Sequence, residues 1–245
     1  MNNPAPAYVT FYVLAASVAA VVTLLWGLRA TLGAAGLSAN DRRRCFRLAV
    51  VLLAAWFFAA LLPSWRGFYG GTPTRIPTIE LGLLVPILAG SVFYWRSHLL
   101  RRIVAAASQG LLVGIQIYRV LGAIFLVLFV SGRMPGVFAL PAGIGDVAVG
   151  LLAPVIAFAL VRGLRGARAL AGAWNLLGLA DLVVAVTTGF LSSPSPVQSL
   201  ALSSPNTLIT AFPVVMIPVF LVPLAVLLHF ASLANLSRAA RPAEF

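Results

Sequence analysis

The chain contains no lysine, a single cysteine and five acidic residues among 245. Charged residues make up 9% of it, against about a quarter in a soluble domain. Without lysine no side chain can form a Schiff base, so a retinal protein is excluded. The lone Cys45 rules out an internal disulfide and any CxxC metal or redox motif. HExxH, Walker and GxGxxG patterns are absent too, so no metal and no cofactor are expected. Gly90-Ser91-Val92-Phe93 and His229 are the residues a serine dyad would use, but no GxSxG elbow and no third orienting group accompany them. His98 reads as a loop residue and His229 as an interfacial one, neither of them a ligand.

Apolar residues are abundant. The chain is 61% hydrophobic, with a mean hydropathy of +1.03, which excludes a water-soluble globule and a disordered chain. The fold class expected is all-α, a polytopic helix bundle forming one transmembrane domain over 1–245. A spanning helix needs about 20 apolar residues. Seven segments qualify: 8–28, 46–64, 78–95, 108–131, 139–162, 169–190 and 208–232. The N-terminal run lacks a basic n-region and is long for a signal peptide, so it reads as a retained helix. Residues 96–107 have a basic and an apolar face and read as an interfacial stretch.

The net charge of +12 comes from 17 basic residues, all of them Arg. In a soluble protein this balance would suggest nucleic acid. In a membrane protein it sets orientation, so no nucleic-acid partner is expected. Thirteen arginines fall on one side, in the 29–47 loop, the 96–102 turn, the 162–168 turn and the tail with Arg238 and Arg241. Three fall on the other, Arg66, Arg75 and Arg133, and Arg119 lies inside a span. The positive-inside rule then puts the N-terminus outside and the C-terminus in the cytoplasm. An Arg- and Ala-rich chain without lysine also points to a GC-rich bacterial genome.

Two outer loops share a pattern. Thr72-Pro73-Thr74-Arg75-Ile76-Pro77-Thr78 is similar to Ser204-Pro205-Asn206-Thr207-Leu208-Ile209-Thr210, and Val85-Pro86-Ile87 to Ile217-Pro218-Val219. This suggests a parallel 3+1+3 repeat, a transporter architecture with its site near the midplane. Two loops that use the same turn residues would give a similar match.

Charge within the spans locates the candidate site. An ionisable group at the bilayer centre costs at least about 2.5–3.5 kcal/mol and needs a partner or water. Arg119 lies about 16 Å deep, Asp181 about 13 Å and Asp146 about 10 Å. Glu80 sits at the outer mouth and is the candidate gate. Gln109, Gln116 and Arg119 form one helical stripe with Tyr118 beside it, and Asn175, Gly178 and Asp181 form another. The expected substrate site is therefore Arg119, Asp146, Asp181, Gln116, Tyr118 and Asn175. The three charged residues sum to −1, so one carboxylate is expected to hold a proton or balance a cation. Gly110 and Gly114 allow close helix packing. Pro213, Pro218 and Pro223 bend the last span or free carbonyls within it.

The segments IQIYRVLGAIFL (115–126), GRMPGVFALPAGIGDVAVGLLAP (132–154), AWNLLGLADLVVAV (173–186) and SPNTLITAFPVVMIPVFLVPL (204–224) resemble a group of uncharacterised bacterial multi-pass membrane proteins. The resemblance covers most of the second half. It implies a bacterial inner-membrane protein and carries no activity. From the residues, the leading expectation is a secondary transporter or permease for a small polar or anionic solute, with Arg119 taking the negative group and the two Asp residues carrying a proton. Its expected partners are the lipid bilayer and that solute or proton, and self-association stays open. The alternatives are a membrane sensor or assembly partner that binds a small ligand, and a membrane-embedded lipid-modifying enzyme.

Overall fold

The computed structural model describes residues 5–239. Its elements are α1 (Ala7–Ala34), α2 (Ala39–Trp65), α3 (Ile79–Arg96), the short α4 (His98–Ala106), α5 (Gln109–Gly114), a 3-10 segment (Ile115–Gly122), α6 (Ala123–Val130), α7 (Gly136–Val161), α8 (Ala167–Ser192), a π-turn (Ile217–Leu221) and α9 (Val222–Ala239). Among the described residues seven helical stretches are long and apolar enough to cross a membrane, and β structure is limited to the bridge Thr72–Arg75. The protein is an all-α, multi-pass membrane bundle. Arg241 lies outside the described residues.

Local chemistry sets the helix starts. Ser38, Ser97 and Ser108 cap α2, α4 and α5, each accepting a backbone N–H from the first turn, of Asp41, Leu100 and Leu111. Gly36 and Gly166 hold left-handed backbone at the turns before α2 and α8, a conformation that favours glycine. Arg102 reaches across to the Gly36 carbonyl and ties α4 to the α1–α2 turn. The interfacial stretch is a helix, and His98 is its first residue rather than part of a loop.

Helix order divides into an enclosed centre and an exposed rim. The α5–α6 rod and the π-turn–α9 rod are the most buried spans, and α2 and α3 the least. Val214, Val215, Met216 and Phe220 are fully buried. Leu48, Val51, Phe58, Leu84, Leu88 and Val92 on α2 and α3 stand exposed, a ring of apolar side chains that only lipid or another apolar surface can cover.

Two spans differ from expectation. The 108–131 span is one rod, but its middle is 3-10 rather than α. A long 3-10 stretch inside a helix marks strain or a hinge. Here α7 approaches backbone to backbone, and a Cβ at Gly150 would lie 2.6 Å from the Val120 nitrogen. The last span begins at 217, not 208. Residues 208–216 are irregular and mostly buried by protein, the condition under which non-helical backbone survives at membrane depth. Pro218 cannot bond the Val214 carbonyl, which accepts the Ile217 N–H at 2.9 Å instead. Val222 then bonds five residues back to Ile217, closing the π-turn. The repeat-like segments also diverge here: Pro86 lies inside a continuous α-helix, whereas Pro218 lies in the π-turn.

Candidate functional site

Arg119 is the last-turn residue of the 3-10 segment and is 3% exposed. Its guanidinium faces α7, α8 and α9 at once. Nε donates to Asp146 Oδ1 at 2.8 Å, and Nη2 lies 2.8 Å from the same oxygen. Nη2 also bonds the Asp181 carboxylate. Nη1 donates to the Gly178 carbonyl at 3.2 Å and contacts His229 Nε2 at 3.2 Å. Since a guanidinium only donates, Nε2 is the acceptor, and the His229 Nδ1–H donates to Asn175 Oδ1 at 2.9 Å. Ser232 Oγ then accepts from Asn175 Nδ2 at 2.8 Å and from Gln109 Nε2 at 2.6 Å. A chain of polar side chains therefore runs from the end of the bundle where α5 starts to the charge cluster.

Glycine makes the approach close enough. A Cβ at Gly122 would strike Asp146, one at Gly145 would fall on the Asp181 carboxylate, and one at Gly178 would meet the His229 ring.

The structure brings Arg119, Asp146 and Asp181 together. Asn175 joins them through His229. Tyr118 lies beside Arg119, but its hydroxyl donates to the Leu221 carbonyl at 3.1 Å, across to the π-turn. Gln116 donates to the Ala225 carbonyl at 3.1 Å and stands apart from the charges. One expectation is corrected. His229 is fully buried and is a direct partner of Arg119, not an interfacial residue. The error follows from the misplaced start of the last span, because a helix beginning at 217 puts residue 229 near its middle. The Arg119 guanidinium is engaged by protein: its three nitrogens make four hydrogen bonds, to Asp146, Gly178, His229 and Asp181, and Nη2 is also ion-paired with Asp146.

Two cavities meet at Asp146. One of about 30 Å³ lies between the 3-10 segment, the π-turn and α1, bordered by Tyr12, Tyr118, Arg119 and Gly122. It has room for about one water. The other, of about 280 Å³, extends from Asp146 to Glu80 and Ser193. Its walls are apolar, with Leu83, Phe125, Phe138, Leu182, Ile209 and Pro218 among them. Glu80, the candidate gate, thus lines the same space as Asp146, and its buried Oε1 has no hydrogen-bond partner. Among the described residues no group of three or more His, Cys, Asp or Glu is arranged to hold a metal ion.

A family model described as a domain of unknown function (DUF8737) matches residues 76–237, more than half of the chain. The chain belongs to that family. The match opens just before α3 and closes near the end of α9, so it takes in the charge cluster and both ends of the larger cavity while leaving out α1 and α2. No curated protein matches the chain, and no solved structure does.

Proposed function

We propose that this protein is a secondary transporter, permease-like in design, of a bacterial inner membrane, with its N-terminus outside. A small solute enters the Glu80 end of the larger cavity and meets Asp146 near the midplane. Arg119 positions the two carboxylates and offsets one of their charges. Asp146 and Asp181 are the groups that take up and release the coupling proton. The observation that carries the reading is the cavity, which ends on a carboxylate of the buried charge cluster and not on packed side chains. Intramembrane charges beside a cavity are functional sites by default.

One feature favours a second reading, a ligand sensor or assembly partner that moves nothing. The Gln109–Ser232–Asn175–His229 chain packs the other half of the bundle between α5, α8 and α9. Transport requires that this bolt open; sensing does not. Proteoliposomes incubated with a metabolite extract, then filtered and assayed by mass spectrometry, separate the two. Transport predicts at least one solute retained by the native protein and lost in Asp146→Asn. If no solute distinguishes the native vesicles from empty ones, the transport reading fails and the sensor reading remains.

A further inference from the structure

We infer that the larger cavity takes an amphiphilic organic cation: an apolar body of modest size carrying a protonated amine. The inference rests on the cavity being the solute site of the proposed function, and it reverses the anionic class that Arg119 alone suggests.

Charge gives the sign. Each nitrogen of the Arg119 guanidinium is bonded to protein and the residue does not border this cavity, so among the described residues the formally charged side chains lining it are the acids Glu80 and Asp146. Asp146, Asp181 and Arg119 together carry a formal charge of −1, and Glu80 adds another where it is ionised. An anionic solute would therefore enter against like charge in a low-dielectric space with no free cationic donor to receive it. An ammonium group meets the opposite case. It offers donors to Asp146 at one end or to Glu80 at the other, and the Glu80 Oε1 is buried with no donor of its own. A buried acceptor left without a donor is unfavourable, and a ligand N–H supplies what it lacks.

The walls give the rest of the molecule. Between the two acids the lining is aliphatic and aromatic, and the backbone there comes from α3, α6, α7, α8 and the π-turn. α3 packs chiefly on α9 and the π-turn, and Glu80 and Leu83 of α3 line the cavity together with Leu182, Ala185 and Val186 of α8. A fully hydrated polar solute would lose its water there without replacement, whereas an alkyl or aryl body is matched to the lining.

The test uses three probes of one chain length, n-hexylamine, n-hexanoate and n-hexanol, with the full-length protein in lipid nanodiscs and thermal unfolding as the readout. Hexylamine is expected to raise the unfolding midpoint saturably, and the other two to leave it where it is. Glu80→Gln and Asp146→Asn should each weaken the apparent affinity at least about tenfold, the scale of a hydrogen bond to a charged group. Ala185→Phe, which fills the cavity from α8, should abolish the shift. If Asp146→Asn does not fold, the other two variants decide, since Glu80 Oε1 holds no bond that the Gln would break. Equal stabilisation by all three probes, preference for hexanoate, or a hexylamine shift unchanged in Glu80→Gln and Ala185→Phe overturns the inference. The two readings also fail separately. Saturable amine binding without any retained solute removes transport and keeps the ligand class. Asp146-dependent accumulation of an anionic solute keeps transport and removes the class.

Discussion

Each of the three nitrogens of the Arg119 guanidinium ends on an acceptor, and together they reach four: two carboxylates, the Gly178 carbonyl and the His229 ring. The arrangement explains how a guanidinium persists in the middle of a membrane bundle, since an unpaired one would be strongly disfavoured there. It also sets an unequal pattern of substitution. Arg119→Ala leaves two carboxylates facing each other without a counter-charge, and breaking a buried ion pair in this way costs about 3–5 kcal/mol. Arg119→Lys keeps the charge but offers three donors from a single nitrogen, which cannot reach four acceptors arranged around a planar fork. Thermal unfolding in detergent should therefore rank native, Lys and Ala in descending order, with Lys nearer to Ala. A Lys variant as stable as the native protein would show that charge alone matters and that the fork geometry does not.

At the scale of the elements, glycine decides how near the helices come. Gly122 in the 3-10 segment and Gly145 on α7 lie where a Cβ would strike Asp146 and Asp181, while Gly172 on α8 has open space around it. Gly122→Ala and Gly145→Ala should each lower stability by about 1–3 kcal/mol through overpacking, and both should impair the site because the displaced atoms are its carboxylates. Gly172→Ala should instead be neutral or raise stability by up to about 1 kcal/mol, the ordinary gain of Ala over Gly within a helix. Equal responses at all three positions would remove the close-approach account. This contrast also shows what the sequence could and could not reveal. The spans were readable because hydropathy and length are properties of each segment alone, and Arg119, Asp146 and Asp181 stood out because charge is rare in such segments. The 3-10 segment was not readable: nothing in Ile115–Gly122 announces it, and its cause is the neighbouring α7 backbone at Gly150. His229 was missed through the prolines. Pro213 and Pro218 signal a late helix start, and counting depth from 217 instead of 208 would have put this histidine level with the cluster.

The whole molecule has one Arg-rich end, formed by the α1–α2 turn, α4 and the α7–α8 turn, and the Glu80 end is the opposite one. If positive-inside placement holds, the larger cavity opens on the outer half of the bilayer. The chain carries its own reporter for this. Cys45, in the second turn of α2 among Arg42, Arg43, Arg44 and Arg47, is partly exposed and is the single cysteine in the sequence. A membrane-impermeant maleimide should label it in inside-out vesicles and leave it unlabelled in intact spheroplasts, while a permeant maleimide labels it in both. A Cys45→Ala, Thr74→Cys variant should show the reverse, because Thr74 lies in the loop at the Glu80 end, where it is exposed. If Cys45 is labelled from outside, the bundle is inverted and the cavity faces the cytoplasm. Asp146 and Glu80 would still share one space, since their geometry does not depend on the membrane's polarity, but the solute would then load from within the cell, and the polar chain through His229 would be the barrier to its exit.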